Sequence, residues 1–195
     1  FWQIDPNWDA DNEFHIGRSV DGIHYPITEP RPFSTSYNSP KFKSAGLDYE
    51  FVVHAHKDQI LAINGPFPAG FNDKTVLNKS LLGRIKEKQR SGLPFFRVIA
   101  DSGYKKFELL KYLCFRNEFD PRDVAWFKDR ALSRHERLNG FTKNYRCLTQ
   151  KFHHDRGYNP NMEHPRHKAC LEAVCVTIQY EMDAGHYSLF DSSPK

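Results

Sequence analysis

The segment SVDGIHYPI, residues 19–27, alternates between two faces as a β-strand does, and it carries one carboxylate, Asp21, near its middle. The side chains around Asp21 are small or apolar, as a strand in a packed sheet requires, so the acidic group needs an explanation. Further along, residues 47–63 alternate, turn at Lys57 and Asp58, and alternate again, which is typical of a β-hairpin. The sequence therefore predicts three antiparallel strands, and the first, about residues 18–27, presents Asp21.

Helices and one buried strand are predicted to follow this antiparallel unit. The string NGPFP, residues 64–68, interrupts the alternation, and Asn72 with Asp73 then caps a helix that runs to about residue 90. The remaining predicted elements are a buried strand over residues 95–100, a helix over about 105–113, a short strand over about 124–127, and two long helices over about 133–153 and 165–183. In this order the predicted strands come first and the long helices last.

Length and composition limit the class of protein. With 195 residues, 39% of them hydrophobic, the chain can form one domain with a core of its own: an arm at 1–17, the domain at 18–183 and a tail at 184–195. A chain that opens on Phe1 suggests a fragment or a processed product. No run approaches about eighteen apolar residues, so no membrane span is expected. The net charge of +4 suits a polyanionic partner without identifying one, and four cysteines without secretory spacing favour a reducing compartment.

Three carboxylates lie at the edges of predicted elements: Asp21 in the first strand, Asp101 directly after the buried strand, and Glu136 at the start of a long helix. If the two strands are neighbours, Asp21 and Asp101 share one end of the sheet, and Glu136 could close the site. Three such groups within several Å would repel unless a divalent cation neutralised them, and oxygen ligands suit Mg²⁺ or Mn²⁺. Two ions about 4 Å apart can activate a water and stabilise the leaving oxygen of a phosphodiester.

Each of these groups also has an ordinary structural explanation. Asp21 could accept a hydrogen bond from a nearby backbone N–H, and Asp101 could cap the following helix. Ser133 and Glu136 have the spacing of a capping box at a helix N-terminus. The residues taken singly do not decide between these interpretations and a metal site.

Two other groups of side chains admit a functional interpretation. Basic residues around Glu136 could contact DNA phosphates or could form solvated helix faces; with His135, a weaker candidate, they are Arg134, Arg137, Lys143 and Arg146. A set of imidazoles and thiols invites a zinc site, but its spacing matches no standard ligand pattern; its members are His153, His154, His164, His167, Cys170 and Cys175.

Several strings together resemble the DDE catalytic domain of PIF/Harbinger-type transposases, which are relatives of a group of bacterial insertion-sequence transposases. The resemblance covers about residues 18–183, with 34 residues between Asp101 and Glu136, close to the usual interval of the family. The strings are SVDG at 19–22, NGPFP at 64–68 followed by Asn72 and Asp73, ADSGY at 100–104, RHERLNG at 134–140 and KNYRCL at 143–148.

This resemblance implies a single α/β domain of ribonuclease H-like fold, in which helices flank a central mixed sheet whose first three strands are antiparallel. It also implies Asp21, Asp101 and Glu136 as the catalytic, metal-binding triad for two Mg²⁺ or Mn²⁺ ions. It implies a DNA endonuclease or transposase that hydrolyses phosphodiesters and transfers strands at transposon ends. Asn72 and Asp73 match a family motif, interpreted here as a helix cap and not as ligands.

Partners and setting follow from the same resemblance. It implies DNA as the partner, both transposon ends and target, a separate DNA-binding helper protein, a homo-oligomer, and a nuclear setting in a eukaryotic host, otherwise a cytoplasmic one. Complete members carry an N-terminal DNA-binding region that residues 1–17 could not form. The alternative is a domesticated, non-catalytic module that binds DNA or protein.

Overall fold

A five-stranded mixed sheet forms the centre of the molecule. The computed structural model describes residues 17–80, 97–105, 113–152 and 164–190. The strands lie in the order β3-β2-β1-β4-β5. Strands β1, β2 and β3 are antiparallel, whereas β4 and β5 run parallel to β1. Their bounds are Arg18–Pro26 for β1, Gly46–His54 for β2, Ile60–Pro68 for β3, Val98–Ala100 for β4 and Leu113–Cys114 for β5. The predicted α/β class, with its first three strands antiparallel, is confirmed.

Helices cover both faces of this sheet. Alternate residues of β1 point to opposite sides, so Ile23 packs with Leu138 of α2 on one face, while Val20 packs with Leu77 of α1 on the other. The helices are α1 at Asp73–Lys79, α2 at Arg122–Lys143, α3 at Arg146–Thr149 and α4 at Pro165–Asp183, and short 3-10 helices lie at Thr35–Tyr37 and Ser102–Tyr104. The arrangement is consistent with a ribonuclease H-like fold.

Several predicted boundaries are wrong. The short strand over about 124–127 is part of α2, which begins at Arg122, and the long helix over about 133–153 breaks at Asn144. Helix α2 forms because buried side chains recur along it at helical spacing, among them Ala131 and Leu138. Helix α1 ends at Lys79, and residues 81–96 lie outside the described part of the chain, as do residues 106–112 of the helix predicted over about 105–113.

Strand β3 continues through NGPFP, residues 64–68, where the sequence predicts a break. It runs to Pro68, and the pairing with β2 shifts between Asp48 and Glu50. Gly65 adopts φ +125°, and a Cβ there would lie 2.9 Å from the carbonyl oxygen of Asp48. Only glycine suits that position, so NGPFP forms an irregular strand instead of ending one.

The residues after α4 pack against the domain. Asp58 in the β2–β3 turn accepts hydrogen bonds from the backbone N–H of Leu189 at 2.7 Å and from Oγ of Ser188 at 2.8 Å, and Leu189 is buried. Residues 1–16, most of the predicted arm, lie outside the described part. Within the described ranges no helix combines the length and the apolar composition that crossing a bilayer requires.

Candidate active site

Asp21 and Asp101 meet where two parallel strands leave their shared ladder. The last paired residues are Val20 of β1 and Ala100 of β4, so the two aspartates follow them side by side. Asp21 Oδ1 accepts a hydrogen bond from its neighbour's backbone N–H, that of Gly22, at 2.8 Å. Asp101 Oδ1 accepts one from the N–H of Ser102 at 2.6 Å and thereby caps the 3-10 helix. The structural explanations of both carboxylates therefore apply, and the two groups also lie close together.

The Asp21 carboxyl holds its proton more tightly than an ordinary aspartic acid. Its pKa is raised to about 6, chiefly by burial, and the carboxylates of Asp101 and Asp73 contribute to the rise, whereas the Gly22 N–H and Lys41 act against it. Both carboxylates repel a negative charge on Asp21, so a cation placed between these groups would lower that pKa and bind to the ionised form.

Asp73 belongs to the same group of carboxylates. A Cβ built on Gly103 would lie 2.5 Å from Asp73 Oδ2 and 4.0 Å from Asp101 Oδ2, so the two acidic side chains flank this glycine. The helix cap is Asn72, whose Oδ1 accepts a hydrogen bond from the N–H of Thr75 at 2.9 Å. The predicted cap is thus confirmed for Asn72, while Asp73 faces the other carboxylates. In the sequence, Asp73 directly follows the cap residue Asn72, and a helix cap alone accounts for an acidic residue at that position.

Asp48 is a further acidic group that the sequence did not indicate. It lies on β2 opposite His24 and is 1% exposed, and burial together with Asp73, Glu50 and Asp21 raises its pKa to about 7. Its Oδ1 has no hydrogen-bond donor among the described residues, since Nε2 of His24 is 3.7 Å away. The register of β2 against β1 brings Asp48 to this place. The sequence of a single strand does not reveal that register.

The hydroxyl of Tyr104 points into the same space and also lacks a partner within the described part of the chain, although Tyr104 is only 2% exposed. A Cβ on Gly22 would lie 3.3 Å from Asp48 Oδ1 and 3.5 Å from that hydroxyl, so glycine keeps the space open. An unpaired donor and an unpaired acceptor facing one small gap can be bridged by a water or a ligand atom.

The ammonium of Lys41 lies near the acidic cluster formed by Asp21, Asp48, Asp73 and Asp101. Its Nζ donates a hydrogen bond to the carbonyl oxygen of Gly22 at 3.1 Å, and its charge lowers the pKa of both Asp21 and Asp48. A pocket of about 370 Å³ opens beside it, lined by His24, Pro40, Lys41, Phe71, Asn72, Asp73 and Gly103. The pocket beside the acidic cluster is therefore lined both by Asp73, a member of that cluster, and by the positively charged Lys41.

Glu136 lies in the middle of α2 and is exposed. The capping-box explanation is wrong, because the helix begins at Arg122 and Ser133 Oγ donates to the carbonyl oxygen of Arg130 within the helix. Glu136 follows Leu132 by one turn, and Leu132 packs against the core residues around Ile99 of β4. This places Glu136 on the β4 side of α2, but the strongest charges acting on Asp21 come from Lys41, Asp101 and Asp73.

Two of the five predicted DNA contacts are buried. His135 is 1% exposed, its Nε2 is hydrogen-bonded to Ser19 Oγ at 2.9 Å, and burial lowers its pKa to about 3. The guanidinium of Arg134 is buried over the ring of Phe190, 4.0 Å from its centroid. Both side chains therefore pack inside the protein in this structure, and their contact with DNA stays a prediction.

The other three predicted DNA contacts differ among themselves. Arg137 is partly buried and donates to the carbonyl oxygen of Phe190, so it helps to hold the segment that follows α4 against α2. Lys143 and Arg146 are exposed at the end of α2 and the start of α3. Only these two remain directly available to a polyanion.

The histidines and cysteines of the zinc hypothesis have other surroundings. His167 packs against Tyr49 and is hydrogen-bonded to its hydroxyl at 2.8 Å, and Cys175 lies in the core. His153 and His154 are outside the described residues. Across the described ranges, no three side chains of His, Cys, Asp or Glu are arranged to hold one metal ion.

The acidic group nevertheless has the donor chemistry of a site for a hard divalent cation. The four aspartates of this cluster offer carboxylate oxygens, the ligands that such cations prefer. The carboxylates of Asp21 and Asp101 repel each other, and Asp48 Oδ1 has no hydrogen-bond partner within the described residues.

One comparison with known proteins gives a match. A family model described as a DDE superfamily endonuclease matches residues 20–178. No curated protein and no solved structure matches the chain. The matched range includes β1 from Val20 onward, strands β2 to β5, and the positions of all three carboxylates selected from the sequence.

Proposed function

The chain belongs to the DDE superfamily endonuclease family, and from this membership we propose that it is a metal-dependent DNA nuclease of the transposase kind. Such an enzyme hydrolyses phosphodiesters and joins the freed strand ends to target DNA. The PIF/Harbinger strings quoted above support that subtype, with transposon ends as the substrate. The observation that carries the proposal is the meeting of Asp21 and Asp101 at one sheet end, where their mutual repulsion favours a cation.

The roles of the three carboxylates follow from their surroundings. Asp21, Asp101 and Glu136 would hold Mg²⁺ or Mn²⁺, which when bound supplies an activated water and stabilises the leaving oxygen. The N–H groups of Gly22 and Ser102 fix one oxygen of Asp21 and one of Asp101, which leaves the second oxygen of each for a ligand. Glu136 is exposed on α2, one turn after Leu132, which packs against Ile99 of β4.

The position of α2 relative to β1 is held by a buried hydrogen-bonded pair. Ser19 Oγ, two residues before Asp21, is hydrogen-bonded to His135, and it donates to the carbonyl oxygen of Ala131 at 3.3 Å. Since His135 directly precedes Glu136, this pair limits how far the third carboxylate can move from Asp21. His135 thus acts as a positioning residue.

The decisive variant is Asp101→Asn. Asp101 is exposed and an asparagine oxygen can still accept the Ser102 N–H, so we expect an unchanged fold and loss of Mn²⁺-dependent plasmid nicking to the level of the metal-free reaction. Asp123→Asn removes the same charge from an exposed position in the first turn of α2 and serves as the control. Full nicking by Asp101→Asn would contradict the proposal.

A non-catalytic DNA- or protein-binding module is the second candidate. The observation in its favour is that the described carboxylates are not arranged to hold one metal ion. Thermal melting with Mn²⁺ separates the candidates, because a ligand at 100 times its dissociation constant stabilises the native state by about 2.7 kcal/mol. A shift that disappears in Asp101→Asn supports the enzyme, whereas the absence of both shift and nicking in the unchanged chain supports the binding module.

A further inference from the structure

We propose that Lys41 and the pocket beside it bind a backbone phosphate of the substrate DNA strand next to the bond that is cut. This inference rests on the proposed nuclease function and adds a contact that fixes where the strand lies. Lys41 is in the connection between β1 and β2, and its ammonium reaches the backbone of Gly22, the residue that follows Asp21.

The contacts of Lys41 leave donors for a ligand. A lysine ammonium has three N–H donors, and the carbonyl oxygen of Gly22 accepts one of them at 3.1 Å. Lys41 is exposed, so the remaining donors face the pocket mouth and solvent. Among the described residues that line the pocket, His24 is neutral near pH 7, because burial and the charge of Lys41 lower its pKa to about 4. Lys41 therefore supplies the positive charge of this pocket.

The charge of Lys41 has a different use before and after cations bind. In the protein alone it offsets part of the negative charge of Asp21 and Asp48. Divalent ions among the carboxylates would replace it in that role and repel it, which makes an anion its favourable partner. A DNA phosphate that approaches the metal-binding carboxylates supplies that anion, and ammonium–phosphate hydrogen bonds are charge-assisted.

The size and walls of the pocket suit a nucleotide unit better than a single ion. A volume of about 370 Å³ lies in the range of small-molecule sites. Phe71 provides an aromatic wall, and the ammonium of Lys79 lies 4.6 Å from its ring centroid, which adds positive charge nearby. Asp73 and Gly103 form the side that adjoins Asp101. A strand with one phosphate at the carboxylates would therefore place its next unit against Lys41.

A salt titration of DNA binding tests this contact directly. Binding of a labelled random-sequence duplex is measured with Ca²⁺ present for the unchanged chain, Lys41→Ala, Lys41→Arg and Lys43→Ala. Lys43 is an exposed lysine in the same connection and gives the matched control. Loss of one phosphate contact reduces the slope of log K against log salt by about 0.9, which corresponds to about eightfold weaker binding at 0.1 M salt.

We expect that reduction and a raised KM for Lys41→Ala, whereas Lys41→Arg and Lys43→Ala should keep the slope of the unchanged chain. An unchanged slope for Lys41→Ala, or an equal reduction for Lys43→Ala, would overturn the assignment to this pocket. If the unchanged chain fails to nick DNA while the Lys41 slope changes, the nuclease proposal falls and the phosphate contact stands. If nicking is present and the slope is unchanged, only the contact falls.

Discussion

Replacement of Asp48 by asparagine should make the metal-free protein more stable at alkaline pH. Asp48 is almost fully buried and is surrounded by Asp21, Glu50 and Asp73, with Lys41 as the opposing charge. Its pKa rises from the ordinary 3.8 to about 7. That difference corresponds to about 4 kcal/mol of cost for keeping the ionised group in the folded protein. An asparagine at this position would keep the size of the side chain and remove the charge.

The direction of the pH dependence follows from the raised pKa. The folded state binds the Asp48 proton more tightly than the unfolded chain, so this group lowers the free energy of unfolding as pH rises from about 4 to about 7. Between pH 5 and pH 8 the loss amounts to about 3 kcal/mol, an upper value because the neighbouring carboxylates share it. An asparagine does not titrate and avoids that loss.

Urea unfolding followed by circular dichroism, with EDTA present, measures this difference. The free energy of unfolding of Asp48→Asn, minus that of the unchanged chain, should be larger at pH 8 than at pH 5 by up to about 3 kcal/mol. Glu172→Gln, at an exposed position on α4, is the control and should change stability by less than about 0.5 kcal/mol at both pH values. A difference between Asp48→Asn and the unchanged chain that does not depend on pH would refute the reasoning.

Two further outcomes are expected. Because Asp21 has a pKa of about 6 and must lose its proton to bind a cation, the Mn²⁺-induced rise in melting temperature should be small at pH 5 and larger at pH 7.5; a rise independent of pH would contradict this. Gly70→Ala should destabilise by about 1–3 kcal/mol in urea unfolding, because its Cβ would lie 2.5 Å from the carbonyl oxygen of Ser36. Gly140→Ala, whose Cβ meets nothing within 4 Å, should not destabilise.

Local patterns predicted the part of the site that depends on single strands. The alternation around Asp21 and the apolar run before Asp101 place both residues at strand positions. Burial of one face of a strand favours alternation, and burial of both faces favours a continuous apolar run. Their proximity then needs only that the two strands are neighbours, which the observed β1–β4 pairing provides.

The groups that the sequence did not reveal depend on contacts between distant segments. Asp48 reaches the site through the register of β2 against β1, with a shift in its pairing to β3. His135 looked like a surface residue beside Glu136, and it is buried because Ser19 and helix α2 meet. The early start of α2 was missed because Val124, Trp126 and Phe127 favour strands intrinsically, whereas packing against the sheet determines the helix.

The strands differ in length across the sheet, and Asp21 belongs to the half with long strands whereas Asp101 follows a short one. β1 and β2 each have nine residues, whereas β4 has three and β5 has two. Short ladders open locally at lower free energy than long ones, so Asp101 lies on the weaker part while Asp21 is fixed in the stronger. A cation bound by both aspartates would connect the short strand to the long one. The amide hydrogens of Val98–Ala100 should then exchange more slowly when the cation is bound.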